Sequence, residues 1–229
     1  MRKKIITAKQ AAELIPDGAS VMFSGFVGCR NAHRTIAEIA ARGTNNLTLI
    51  CNDASRPNGP DGSDYYGVAQ LIHTRQVSRL VATHVGTNPE VAAQMNAGTL
   101  DVSLIPQGSF AEMIRAGGAG LGGILTRTGL GTLVQDAPHV HSIIDIDGVS
   151  YLLERPIRAD FAVISGFRVD RAGNVWYRGT TRNLSIVMAM AADTVIVEAD
   201  NLVDVGDIEP ENVMTQGILV DYIVSENGR

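Results

Sequence analysis

One order recurs along this chain and restricts its fold more than any other feature. A short apolar run leads into a turn or polar loop, and a helix-periodic stretch follows. Ser20–Phe23 precedes a glycine-bearing loop, and Ile36, Ile39 and Ala40 then mark one helical face that Gly43 ends. Leu47–Cys51 precedes the polar stretch 52–67, with Val68, Leu71 and Ile72 beyond it. Residues 80–82 lead through His84 to a helix opened by Pro89, and 102–105 lead through Pro106 to a helix over 110–116. Strands alternating with helices at this spacing predict a mostly parallel sheet with helices on both faces. Thr7 and Gln10 add a capping box before a short first helix, which Pro16-Asp17-Gly18 closes.

The second half breaks the alternation. Asp147-Gly148 between two apolar runs predicts a hairpin. A second hairpin is expected around Asp170–Asn174, between 162–164 and 175–177. Helical composition over 184–192 and strands at 194–197 and 218–224 complete the chain. The fold class is therefore α/β, with an antiparallel β-hairpin portion in the second half. Residues 1–229 read as a single domain with no linker.

Chemistry is less declared. The glycine-rich stretch 117–132 lacks the Gly-Lys-Ser/Thr of a phosphate-binding Walker loop and a clean Gly-x-Gly-x-x-Gly after a strand. It reads as a segment where backbones pack closely. There is no Gly-x-Ser-x-Gly elbow. His33, His73, His84, His139 and His141 have no metal-ligand spacing and read as loop or surface residues, so no metal is expected. Glu90, Glu112, Glu154 and Glu198 stand where capping or solvation suffices. A net charge of −5 gives no basic footprint for nucleic acid. The opening residues are too short in apolar character for a signal peptide, and no apolar run is long enough to span a bilayer. Two cysteines, Cys29 and Cys51, form no disulfide framework, which suits a reducing, cytoplasmic setting.

The stretch 21–34 has the most to offer a ligand. A strand, a loop and a helix start in that order predict free backbone N–H groups, a place suited to phosphate or developing negative charge. An ordinary strand-to-helix turn has the same pattern. Cys29, beside Arg30 and near the helix start, is either a thiol with lowered pKa or a small residue filling a tight loop.

The ordered blocks carry a resemblance. Asp17-Gly18, Val21-Met22-Phe23, Gly25 and Phe26 come first. Gly86–Glu90, Pro106-Gln107-Gly108, Ile114–Gly120 and Thr128–Thr132 follow, then Leu153–Pro156, Arg158-Ala159-Asp160, Asp170–Asn174 and Arg182-Asn183. Over nearly its whole length the chain resembles the α (A) subunit of family I CoA-transferases, of the acetate/butyrate–acetoacetate and 3-oxoacid types. The resemblance implies one half of an enzyme, with coenzyme A as co-substrate and no permanently bound cofactor. The nucleophilic glutamate is expected on a separate β (B) subunit, in an α2β2 assembly, so no catalytic residue is assigned to this chain. It also implies a CoA loop made of Ser24, Gly25, Phe26, Val27, Gly28, Cys29 and Arg30, with Asn52 and Gln107 facing the acyl group.

Three loop residues depart from the family pattern: Ser24 and Arg30 replace glycines and Ala32 replaces a proline. Arg30 is expected to reshape the turn, and with His33 to meet a CoA phosphate or an acidic substrate. Leu184-Ser185-Ile186 replaces the family's Phe-Asn-Pro. These departures keep two rivals open: a CoA-thioester hydrolase or ring-opening relative, and a non-catalytic acyl-CoA-binding homologue. The terminal Ser225-Glu226-Asn227-Gly228 spells the β subunit's catalytic motif and is read as coincidence.

Overall fold

A computed structural model describes residues 3–225; the Glu226 motif lies outside them. The first half builds β1 (Lys4–Ile6), α1 (Ala8–Leu14), β2 (Ser20–Phe23), α2 (His33–Arg42) and β3 (Leu47–Cys51). A small hairpin, β4 (Arg56–Pro57) with β5 (Tyr65–Tyr66), interrupts the polar stretch. Then come α3 (Ala69–His73), β6 (Val77–Ala82), α4 (Pro89–Asn96), β7 (Asp101–Leu104) and α5 (Gln107–Gly118). The second half adds β8 (Ile124–Thr126), β9 (Val140–Ile146), β10 (Val149–Glu154), β11 (Ala159–Asp170), β12 (Val175–Trp176), α6 (Ser185–Met190), β13 (Ala192–Val203) and β14 (Tyr222–Val224). No helix among the described residues is long and apolar enough to cross a membrane.

The main sheet runs β1-β14-β13-β11-β2-β3-β6-β7, parallel throughout, with β12 antiparallel on β11. Period-two alternation feeds two cores. Val21 and Phe23 of β2 and Leu49 and Cys51 of β3 face α1 to α4, whereas Met22 and Ile50 face α5 and α6. Strands buried on both faces need near-continuous apolar runs, which is why Val-Met-Phe and Leu-Ile-Cys sit at the centre. A separate antiparallel sheet, β8-β10-β9, carries the Asp147-Gly148 turn, both residues at positive φ.

Local signals set several boundaries. Thr7 Oγ1 accepts from Gln10 N at 3.1 Å and Gln10 Oε1 accepts from Thr7 N at 3.0 Å, the reciprocal box. Gly43, at φ 74°, ends α2 in the left-handed cap. Asn88 caps α4 ahead of Pro89.

Other expectations are corrected by pairing across the sheet. Lys4–Ile6, on which no expectation was placed, is a strand paired in parallel with β14. β13 runs on to Val203, through Glu198, Ala199, Asp200 and Asn201, because β11 pairs with Glu198, Ala199, Asn201, Leu202 and Val203 along that length; pairing overrides poor strand propensity. The second hairpin closes on Arg168 and Val169, at the far end of β11, while residues 162–164 lie in the parallel sheet. The last strand is only Tyr222–Val224, after a 3₁₀ turn at Gly217–Leu219.

The glycine-rich stretch is a close-packing device, as its composition suggests. A Cβ on Gly117 would lie 2.0 Å from the Ile157 carbonyl oxygen, and one on Gly118 would lie 2.6 Å from Met190 Cβ. Gly108, at the other end of α5, has open space around it. Helix propensity favours alanine over glycine by about 1 kcal/mol. We therefore expect Gly108→Ala to be neutral or mildly stabilising in urea unfolding. Gly117→Ala should instead destabilise by about 2 kcal/mol through overpacking; equal shifts for the two variants would contradict the packing described here.

Candidate active-site edge

From β2 the chain steps outward through β3, β6 and β7, whereas β11, β13 and β14 lie on β2's other side. The order thus reverses between β2 and β11. Open α/β sheets bind ligands outside the carboxyl ends of their strands at such a reversal. Residues 24–30 leave β2 there. Asn52 follows β3, Thr83 follows β6 and Gln107 follows β7 on the same edge, tied in a row by Thr83 N to Asn52 O (3.0 Å) and Ile105 N to Ala82 O (3.0 Å). Gln107 is exposed in the first turn of α5, two strands away from buried Asn52.

The loop is a tight turn. Phe26 and Cys29 exchange backbone bonds of 3.0 and 2.8 Å, with Val27 at φ 49° and Gly28 at φ 79° between them. Two positive φ values define the primed turn that closes hairpins. A β-branched residue such as Val27 seldom tolerates that region. Its N–H is held by Asp53 Oδ2 at 2.8 Å. Gly25, at φ 131°, passes so close to Asn31 that a Cβ would lie 2.1 Å from Nδ2. Asn31 in turn donates to Ser24 O at 2.6 Å and accepts from Ser55 Oγ and Val68 N. Phe26 stands at the tip, 60% exposed, and Cys29 is exposed beside it.

Arg30 does not reshape this turn. It takes the left-handed conformation itself, at φ 61°, which costs an ordinary residue roughly 1–2 kcal/mol. An ion pair with Asp200 and stacking over the Phe167 ring, 5.7 Å from the centroid, offset that cost.

The expected free N–H groups are also corrected. Those of Ser24, Gly25, Phe26, Val27, Cys29 and Asn31 are all bonded within the protein, Gly25 to Asn183 Oδ1 at 3.2 Å. At the start of α2, Ala32 provides no side-chain cap. The buried Glu198 carboxylate takes that place, accepting from Thr35 N (2.8 Å), Thr35 Oγ1 (2.7 Å) and Arg34 N (3.2 Å). The helix start thus already holds an anion, one of the chain's own. Glu198 is a capping residue, as expected, although it caps from 163 residues away.

Asp53 and Asn31 are the residues that sequence reasoning missed. Asp53 Oδ1 accepts from Ser55 N at 2.8 Å while Oδ2 serves Val27 N and Asn52 Nδ2. The Asx pattern Asp53-Ala-Ser55 was the available signal; its reach to Val27 had none. Glu154 also departs from expectation. It is fully buried rather than solvated, its oxygens make no well-formed hydrogen bond, and His139 Nε2 lies 3.9 Å away. Burial raises its pKa, with Ser109 near enough to oppose. His139 is accordingly not a surface residue. Among the described residues no group of three or more His, Cys, Asp or Glu is placed to hold a metal ion.

His33, half-buried, packs against the Tyr66 ring at 4.5 Å. Burial lowers its pKa, opposed mainly by Glu198 and the Gly28 backbone, with Arg30 adding slightly to the lowering.

Taken together, these features define an α/β protein in which a row of loops at the carboxyl ends of the strands is held by the buried carboxylates of Asp53 and Glu198. Residues 5–226 match the Coenzyme A transferase family, and the chain belongs to it. It is 44% identical over 226 residues to the acetoacetyl-CoA:acetate/butyrate CoA transferase alpha subunit of Clostridium acetobutylicum, covering 99% of each chain. It is 39% identical over 224 residues to the acetate CoA-transferase subunit alpha of Escherichia coli K12, covering 98% of this chain and 97% of that one. In fold it is similar to an acyl-CoA transferase of Escherichia coli O157:H7 solved as a thioester complex with CoA. That similarity has a TM-score of 0.86 at 21% identity and covers 99% of this chain and 48% of that one. The chain therefore spans about half the length of that enzyme.

Two outcomes follow. Asp53→Ala removes the acceptor for Val27 N and Ser55 N and should cost about 2 kcal/mol. Amide exchange at Val27 should accelerate, and Asp53→Asn should lose less; unchanged exchange at Val27 would show that the turn holds itself. The His33 imidazole should titrate below its ordinary value of about 6.5. Because the folded value is depressed, the unfolded chain binds the proton more readily. The contribution of neutral His33 is then complete above about pH 6.5 and declines as pH falls toward the folded value. Proton NMR of the ring locates the midpoint, and one at or above 6.5 would contradict the burial argument.

Proposed function

We propose that this chain works as the α subunit, a single domain, of a CoA-transferase. The reaction moves CoA between a short-chain acyl-CoA and a short carboxylic or 3-oxo acid. The observation that carries this reading is the end-to-end match to a CoA-transferase alpha subunit, at 99% of both chains. The partner is a separate β subunit supplying the nucleophilic glutamate, the assembly is α2β2, and the setting is cytoplasmic.

In this scheme the glutamate carboxylate attacks the thioester carbonyl, giving an acyl-glutamyl anhydride and CoA thiolate. The thiolate then attacks the glutamyl carbonyl, releasing the first acid and leaving a glutamyl-CoA thioester. The acceptor acid reverses both steps. Thioester energy is kept throughout, so no nucleotide hydrolysis is needed. Residues 24–30 act as the seat beside the thioester. Their internal bonding supports a rigid wall rather than an amide cradle, and exposed Phe26 offers the contact surface. Asn52 and Gln107 face the acyl group. The Asn52 amide is oriented by Asp53, which suits a fixed donor near a developing oxyanion.

Co-expression with the β subunit, followed by assay with acetate, butyrate, succinate and acetoacetate as acceptors, tests this. Transfer is expected only with both subunits and an acceptor present. Turnover without acceptor would mean hydrolysis, and a complex that binds no CoA would overturn both enzyme readings.

A further inference from the structure

The small hairpin β4–β5 leans on the 24–30 turn, and one of its two cross-strand pairs is Arg56 with Tyr66. Directly paired residues of an antiparallel ladder project from the same face. Tyr66 fixes where that face points: its ring lies against Gly28 and meets the His33 ring at 4.5 Å between centroids. Arg56 is therefore turned toward the same turn. Burial raises the Tyr66 pKa, helped by Asp61 and Cys29, and Arg56 and Arg30 are both near enough to oppose it.

The segment that carries Arg56 is pinned, and Asn52 stands at its start. Ser55 N donates to Asp53 Oδ1 at 2.8 Å, Ser55 Oγ donates to Asn31 Oδ1 at 3.1 Å, and the Ser55 carbonyl accepts from Thr87 Oγ1 at 2.8 Å. The guanidinium itself, half-buried, has no anion. No carboxylate lies within salt-bridge distance of it among the described residues. Its Nε is sealed from water without a hydrogen-bond partner. Nearby acids are committed elsewhere: Asp53 to Val27, Asn52 and Ser55, Asp61 to Ser63, and Asp200 to Arg30. Lost hydration that no acceptor replaces costs stability. A structural arginine of this chain is held differently, as Arg42 is by the Ala12 and Ile15 carbonyls.

We infer that Arg56, braced by Tyr66, selects acids that carry a second carboxylate, binding that group while the first reacts beside Asn52. This rests on the transferase reading and names the substrate class within it. The class is a short dicarboxylic acid and its monothioester, in preference to the monocarboxylic acid of equal length. One guanidinium matches the single charge and planar fork of one carboxylate. A methyl group in the same place would leave the guanidinium dry and without an acceptor, so rejection of the monocarboxylic acid adds to attraction of the dicarboxylic one.

The test uses the complex with the β subunit and two four-carbon acceptors, succinate and butyrate, which differ only at the far end. Succinate should be favoured in kcat/KM by about ten-fold to a hundred-fold, the worth of hydrogen bonds to a charged group. Arg56→Met should erase most of that ratio, and Arg56→Lys should keep part of it. Because the ratio is taken within one variant, a loss of folded protein cancels. Equal efficiency for the two acids in the wild type, or a ratio that Arg56→Met leaves in place, would overturn the assignment. So would a loss confined to the acyl-CoA KM, which would put the arginine on CoA instead. Isothermal titration of the complex gives a readout that needs no turnover: succinate should bind more tightly than butyrate, and Arg56→Met should remove the difference. That binding pattern without any transfer would sink the transferase reading and leave the carboxylate seat standing. Transfer to both acids with equal efficiency would do the reverse.

Discussion

The buried carboxylate of Glu198 is the contact on which the rest of the site depends. It lies on β13 near the end of the chain and caps α2 near the beginning. A helix start leaves several N–H groups without partners, and Ala32 has no side-chain oxygen to offer them. Glu198 supplies two oxygens from across the sheet, while the Arg34 guanidinium reaches the Ala199 carbonyl at 2.6 Å. One residue pair further out, Asp200 holds Arg30. The turn at 24–30 is therefore clamped from its far side by the ribbon of β11 and β13, and from its near side by Asp53. A loop held on both sides presents its tip without having to find its shape when a ligand arrives, which lowers the cost of binding.

This clamping also revises how the edge can act. Glycines after a strand suggest an amide cradle, and here the amides of Ser24, Gly25, Phe26, Val27 and Cys29 have internal partners. What the loop offers instead is shape and side chains. Gly28 lets the Tyr66 ring approach, since a Cβ there would lie 2.1 Å from Cδ1. The glycine-to-arginine departure at position 30 keeps the turn and adds an ion pair. It thereby joins the loop to the Phe167 ring.

Much of the fold was legible because local rules and burial agree. Ser20–Phe23, Leu47–Cys51, the Thr7 box, Gly43 and the Asp147-Gly148 turn each have a short-range cause. The family was legible through the order of its blocks, whereas Asn52 and Gln107 carry no chemistry that spacing alone could reveal. What was hidden depends on partners far away in sequence. The polar letters Glu198 to Asn201 look unlike a strand until β11 is beside them. Asp53 looks like a turn residue until Val27 is seen to need it, and Glu154 looks like a surface acid until β10 folds it under α5.

The same geometry constrains the order in which the molecule can be finished. β2 lies between β3, which follows it closely, and β11, which comes roughly 140 residues later. Contacts of such separation slow folding. While the chain is still being synthesised, α2 has no cap and the 24–30 turn has only its Asp53 side. The 24–30 turn therefore acquires its full set of contacts only once β13 has docked beside it. A molecule lacking β13 would keep the front half of its sheet with an unclamped loop.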